Sequence, residues 1–167
     1  TIISAYQNNN LTNENKFFPT QDSNIISDSD IVIVSVPTPI SEKIKPDLSF
    51  IKNACETISK FQLNNKLVII ESSIPPKTFE QLILPTLSKN ENNNFLASYI
   101  PERLSPGQAF EEIQTTSRVV GALDEESRIV SKALYNKILK SKIFETNPIV
   151  AETCKLVGLT ISPNSWS

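Results

Sequence analysis

The amino-acid sequence predicts an α/β fold, a mostly parallel sheet with helices on both faces. Three observations carry that reading. Short, largely apolar runs recur at 31–36, 67–70 and 95–100, and strands buried on both faces read as such unbroken runs. Between them, apolar residues return at three- and four-residue steps, the mark of amphipathic helices. Strand and helix signals alternate along the chain, which favours parallel pairing with helical crossovers.

The elements follow in order. Residues 1–24, rich in Asn, Thr and Gln, read as an irregular segment, with 16–20 a candidate short strand. The run 31–36 is a strand stopped by Pro37 and Pro39, since proline cannot donate to the ladder. Asp47 can cap a helix whose apolar stripe is Leu48, Ile51, Cys55, Ile58 and Phe61. After the strand at 67–70, Phe79, Leu82, Ile83 and Leu87 mark a second helix, separated by the Asn-rich turn 90–94 from the strand at 95–100. Residues 118–121 form a further short strand. Asp124 caps a third helix, with Glu125 and Glu126 in the first turn, where carboxylates suit the helix dipole. Its expected buried stripe is Ile129, Val130, Ala133, Leu134 and Ile138. Residues 142–144 are a last strand, and 149–157 begin another helix.

Composition removes several function classes. The 167 residues suffice for one domain with a real core. A net charge of −2 gives no electrostatic footprint for nucleic acid or an anionic membrane. No apolar run approaches the roughly 20 residues of a membrane-spanning helix, and no secretory leader is read at the start. There is no His, so Ser-His-Asp and Cys-His catalysis are excluded within this chain and the commonest metal ligand is missing. No metal is expected. The 3 Gly are too dispersed for a G-x-G-x-x-G or Walker loop. Cys55 and Cys154 make no C-x-x-C pair, and Cys55 reads as a small buried hydrophobe. There is no Met and the chain starts at Thr1, so a processed or incomplete chain is expected.

Ligands of open parallel sheets sit at the carboxyl ends of the strands. Three segments follow strands there: Pro37-Thr38-Pro39, Ser72-Ser73-Ile74-Pro75-Pro76, and 101–107 beginning Pro101-Glu102. Each joins proline to a hydroxyl or a carboxylate. Proline stiffens the backbone, so Thr38, Ser73 and Glu102 would be presented rigidly. A fixed hydroxyl can orient a ribose, an amide or a water, and a carboxylate can serve as a general base. Any one corner alone is better explained by strand termination and turn capping; three at one sheet edge point to a site.

These residues carry a resemblance. Val36-Pro37-Thr38-Pro39, Glu71-Ser72-Ser73-Ile74-Pro75-Pro76, Pro101-Glu102-Arg103-Leu104-Ser105-Pro106-Gly107 and Ala151-Glu152-Thr153-Cys154-Lys155-Leu156 occur in that order. The set resembles the UDP-glucose/GDP-mannose dehydrogenase family, nearest to the branch acting on UDP-N-acetylmannosamine. The resemblance implies an incomplete Rossmann-like fold and a nucleotide-sugar 6-dehydrogenase. Such enzymes oxidise a sugar C6 alcohol to a carboxylate in two NAD-dependent steps through a thioester on a cysteine. By motif position, Glu102 matches the carboxylate associated with the hydrolytic water. Lys155 matches the lysine that stabilises the oxyanion, a charge a fixed cation suits. Ser73 matches the hydroxyl near the nicotinamide. Val36, Pro37 and Thr38 would line the cofactor through backbone and hydroxyl contacts, and Glu102 would border it too. The plain readings stand beside these: Glu102 with Arg103 as a surface ion pair, Lys155 as a solvated helix residue, Arg118 as an anchor of the sheet edge.

The chain also departs from the family pattern. The Gly-rich phosphate loop, which brings backbone amides to a pyrophosphate, and the G-G-H-C segment with the nucleophile are not among these residues. Cys154 belongs to a different motif. Leu159 stands where the family pattern has Asn, and Lys77 and Ala122 stand at positions commonly Gly. Three regions are expected: 1–24 irregular, 25–150 a partial NAD-binding domain, and 151–167 the start of a helical region with a divergent tail. The expected function is that of a fragment of a cytoplasmic NAD-dependent dehydrogenase of UDP-sugars, inactive by itself. The alternative is a non-catalytic remnant that associates with an intact homologue through an incomplete sheet; a homo-oligomer is a separate expectation.

Overall fold

In the computed structural model, residues 18–40, 45–90, 94–102 and 115–160 are described, the side chains of 158–160 excepted. The Phe18–Thr20 part of the expected first strand is irregular, and the rest of it lies outside the described residues. A 3-10 turn, Ser23–Asp28, forms instead, its first turn capped by Asp22 accepting from the Asn24 N–H at 3.0 Å.

Five strands make one sheet in the order β1 (Ile31–Val34), β2 (Leu67–Ile70), β3 (Leu96–Tyr99), β4 (Arg118–Gly121) and β5 (Ile143–Thr146). β1, β2 and β3 are parallel, with Val34 beside Ile70 and Ile70 beside Tyr99. β4 joins β3 antiparallel through Tyr99 and Gly121, and β5 is parallel to β4. The sheet is therefore mostly parallel, as expected. Alternation along β2 sorts the core into two layers. Val68 and Ile70 face α1 (Ser49–Ile58) and α2 (Leu84–Leu87) in one cluster, with Ile51, Cys55, Phe79 and Leu87. Leu67 and Ile69 face the other layer, with Val120, Tyr135 and Leu139 beneath α3 (Glu125–Ile138). α4 (Pro148–Thr160) packs its Ala151 against the first layer.

Local chemistry explains the element ends. The Asp47 carboxylate accepts from the Ser49 N–H at 2.9 Å at the start of α1, and hydrogen bonding to the Ser49 side chain first, then to this N–H, holds its carboxyl below the usual value. Burial pushes the Cys55 thiol up to about 12, so it packs as an inert hydrophobe. The second helix opens as a π turn, Phe79–Ile83, before α2. Pro85 supplies no N–H to an i→i−4 ladder, and the Leu84 N–H reaches back five residues to Phe79 O.

Two expectations are corrected. β1 is not buried on both faces: it forms the sheet edge, with Ile31 38% and Ile33 49% exposed. An apolar strand reads the same whether or not a neighbour covers it. On α3 the expected stripe holds only at Leu134, which packs half-buried against the second layer, while Ala133 is exposed. Ile129, Val130 and Ile138 are exposed, while Ser127, Ser131 and Tyr135 are buried. The serines let the helix approach β3 closely and satisfy it. Ser127 Oγ accepts from the Ala97 N–H at 3.0 Å, and Ser131 Oγ bonds Ser98 Oγ at 2.8 Å. Asp124 caps this helix as expected, accepting from the Ser127 N–H at 2.7 Å.

Candidate functional site

Because β1, β2 and β3 run parallel, the segments after them leave the sheet at one edge. Val36, Pro37 and Thr38 follow β1, Ser72 and Ser73 follow β2, and Pro101 and Glu102 follow β3. Arg118, which opens the reversed strand β4, is buried there too. Its Nη1 donates to Pro101 O at 3.4 Å, consistent with an edge anchor. The remainder of the third corner, 103–107, lies outside the described residues.

Neighbouring corners are joined by specific bonds. The buried Ser72 hydroxyl accepts from the Val36 N–H at 2.8 Å and donates to Val36 O at 2.9 Å. Both main-chain groups of Val36 are thus engaged within the protein, so its N–H is not offered to a ligand. Pro37 is exposed and Thr38 half-buried. The hydroxyls of Thr38 and Ser73, the latter also half-buried, make no hydrogen bond among the described residues.

Glu71, at the end of β2, accepts a 2.5 Å bond from the Tyr135 hydroxyl of α3. Burial, reinforced by that carboxylate, pushes the Tyr135 hydroxyl well above its usual value. The corner is thereby held from the α3 side as well.

The third corner meets α4. Lys155 is 7% exposed, and its ammonium donates to the Glu102 main-chain oxygen. The Glu102 carboxylate, about 40% exposed, lies 3.9 Å from the same Nζ. A half-open acid and a buried cation thus share one spot, though 53 positions separate them. One turn earlier on α4, the fully buried Glu152 accepts from the Lys77 N–H at 2.5 Å and the Phe79 N–H at 2.8 Å. Burial raises its carboxyl, against the lowering effect of those amides.

All six singled-out residues, Val36, Pro37, Thr38, Ser73, Glu102 and Lys155, lie on this edge or on the helix reaching it. Ser72, Tyr135 and Glu152 were not singled out. Ser72 and Glu152 stand inside quoted motifs, but their partners are main-chain groups, which leave no side-chain pattern to read. A cavity of about 260 Å³ lies elsewhere, lined by Phe79, Leu84, Phe95, Ala97 and Leu123 among others. None of the six lines it.

Comparison with known proteins agrees with this architecture. Residues 2–139 match the model of the UDP-glucose/GDP-mannose dehydrogenase family, NAD binding domain. The UDP-N-acetyl-D-mannosamine dehydrogenase of Pyrococcus horikoshii is 37% identical over 135 residues, 79% of this chain and 32% of that protein. A UDP-N-acetyl-D-glucosamine 6-dehydrogenase of Pseudomonas aeruginosa is 33% identical, over 78% of this chain and 32% of its own. The solved UDP-D-ManNAc dehydrogenase of P. horikoshii superposes with a TM-score of 0.75 at 34% identity, covering 83% of this chain and 34% of that one. The chain spans about a third of the length of these relatives. It belongs to the UDP-glucose/GDP-mannose dehydrogenase family.

Proposed function

We propose that this chain supplies the nicotinamide-side edge and an acid–cation pair to an NAD-dependent nucleotide-sugar 6-dehydrogenase. The substrate would be a UDP-sugar of the UDP-N-acetylmannosamine or UDP-glucose type, its C6 alcohol oxidised to a uronic acid. The observation that carries the reading is the meeting of Lys155 with Glu102 at the sheet edge that presents Thr38 and Ser73.

The residues present fit one side of the cofactor. Two hydroxyls on adjacent corners, without a partner among the described residues, suit a carboxamide or a ribose, whereas these residues hold no glycine-rich turn for the pyrophosphate. Bound NAD would supply the hydride acceptor. Thr38 and Ser73 would orient the ring, with the Val36 side chain and Pro37 as an apolar border. Lys155, held by the Glu102 carbonyl, would place positive charge where an oxyanion develops. Glu102, open on one side, would position the hydrolytic water and take its proton.

The same parts explain why the chain alone is expected to be inactive. Cys55 is buried with its thiol pushed up to about 12, so it cannot serve as the nucleophile. The purified chain is expected to form no NADH from UDP-N-acetylmannosamine and NAD. In a ¹⁵N NMR titration with NAD and this sugar nucleotide, the amides of Thr38, Ser73 and Glu102 are expected to shift, with an affinity weaker than micromolar. Shifts confined to β5, or none at millimolar ligand, would defeat the reading.

A second reading has its own observation. The β1 edge, which no strand covers among the described residues and where Ile31 and Ile33 are exposed, favours a chain that associates, since unpaired edges recruit strands. A monodisperse monomer in light scattering would remove it. The setting we propose is the cytoplasm; no described helix is long and apolar enough to cross a membrane.

A further inference from the structure

Glu152 is the one fully buried carboxylate among the described residues, and no role in the proposed chemistry uses it. Burying a carboxylate is costly unless its oxygens are satisfied. Here both oxygens accept main-chain N–H groups, Oε2 from Lys77 at 2.5 Å and Oε1 from Phe79 at 2.8 Å. These amides open the π turn that follows the Ser73 corner. An ordinary helix start would be capped by its own N-cap side chain, yet Thr78 makes no such bond. The cap is provided instead from α4.

A second, independent observation meets the first at the same group. Lys77 has φ 73, in the left-handed region that disfavours any residue with a Cβ. Its side chain is exposed. The backbone conformation is therefore held through its main-chain groups: the N–H donates to Glu152, and the C=O accepts from the Gln81 N–H at 2.9 Å. Three residues later on α4, Lys155 bonds the Glu102 carbonyl. One helix thus grips the second corner with one turn and the third corner with the next.

We propose that Glu152 is a positioning residue that fixes the Ser73 corner relative to Lys155 by clamping the strained turn at Lys77 and Phe79 to α4. This rests on the reading that those corners form one site. The titratable groups that face it are Glu80 on the π turn and Tyr99 on β3, and Glu80 adds to the upward push of burial on its carboxyl. A carboxyl raised above its unfolded value of 4.5 binds its proton more tightly when folded. Its contribution is therefore greatest at low pH and declines as pH rises through 4.5 toward the raised value.

Glu152→Gln and Lys77→Gly test the clamp by amide hydrogen exchange in the full chain. In Glu152→Gln, exchange at Lys77, Phe79 and Ser73 should rise at least about tenfold while β4 and β5 stay unchanged, as expected for local opening. Glycine adopts the strained φ freely, so Lys77→Gly in the Glu152→Gln background should return Ser73 to within about threefold of the parent, on the same local-opening scale. The stability difference between parent and Glu152→Gln should also drift with pH above 4.5 in the direction given. Unchanged exchange at Lys77 and Phe79, or uniform acceleration across the sheet, would overturn the proposal. So would failure of both Glu152→Gln and the double variant to fold, which would make Glu152 a folding residue only. The ligand titration above reports separately. If it fails while the exchange pattern holds, the functional reading falls and the clamp stays; the reverse result removes the clamp alone.

Discussion

Gly121→Ala is expected to destabilise the chain by about 1–3 kcal/mol, the range for forcing extra volume into a close contact. A Cβ at this position would lie 2.8 Å from Ala151 Cβ, 2.9 Å from Pro148 Cα and 3.1 Å from Asn147 O. Two of the three are main-chain atoms, so relief requires α4 to move off β4. At this chain length each kcal/mol lowers the melting temperature by about 2–4 °C. The consequence reaches the candidate site, because α4 carries Glu152 and Lys155. Thermal unfolding gives the stability, and the Lys77 and Phe79 amide shifts report whether the helix has moved. A variant as stable as the parent would show that this approach does not set the position of α4.

Ser72→Ala is expected to cost about 1–3 kcal/mol, the penalty for leaving a buried polar group unpaired. The hydroxyl it removes serves both the N–H and the C=O of Val36. Ser72→Thr keeps a hydroxyl and should recover part of the loss if the added methyl is accommodated. The local signature is faster exchange of the Val36 amide, since that N–H loses its acceptor. Equal stability and unchanged Val36 protection in Ser72→Ala would contradict the coupling of the first two corners. Ser73→Ala is the useful contrast. Its hydroxyl bonds nothing among the described residues, so its loss should leave stability close to that of the parent.

Why some features were legible and others not follows from where the partners lie. β2 was readable to the residue because its four side chains are all buried and all apolar. β1 was readable as a strand but not as an edge, since Ile31 and Ile33 carry no mark of what lies beside them. The face of α3 was misread because apolar counting passes over Ser127 and Ser131, which are buried by hydrogen bonding to β3. A serine within β3 itself, Ser98, was the available hint. The three corners were legible because proline and a nearby hydroxyl or acid are local in sequence. Their couplings were not. Ser72 meets Val36 across 36 positions, and Glu152 meets Lys77 across 75, each through main-chain atoms.

We propose that Thr38 and Ser73 border a nicotinamide at the sheet edge that also carries Glu102. Nuclear Overhauser contacts from the ring protons of nicotinamide mononucleotide test it most directly, because this ligand lacks the adenosine half for which the chain has no glycine-rich turn. Contacts from the ring to the Thr38 methyl and the Ser73 β-protons are expected at millimolar ligand. Contacts to the cavity at Phe95 and Leu123 instead, or to β5, would contradict it.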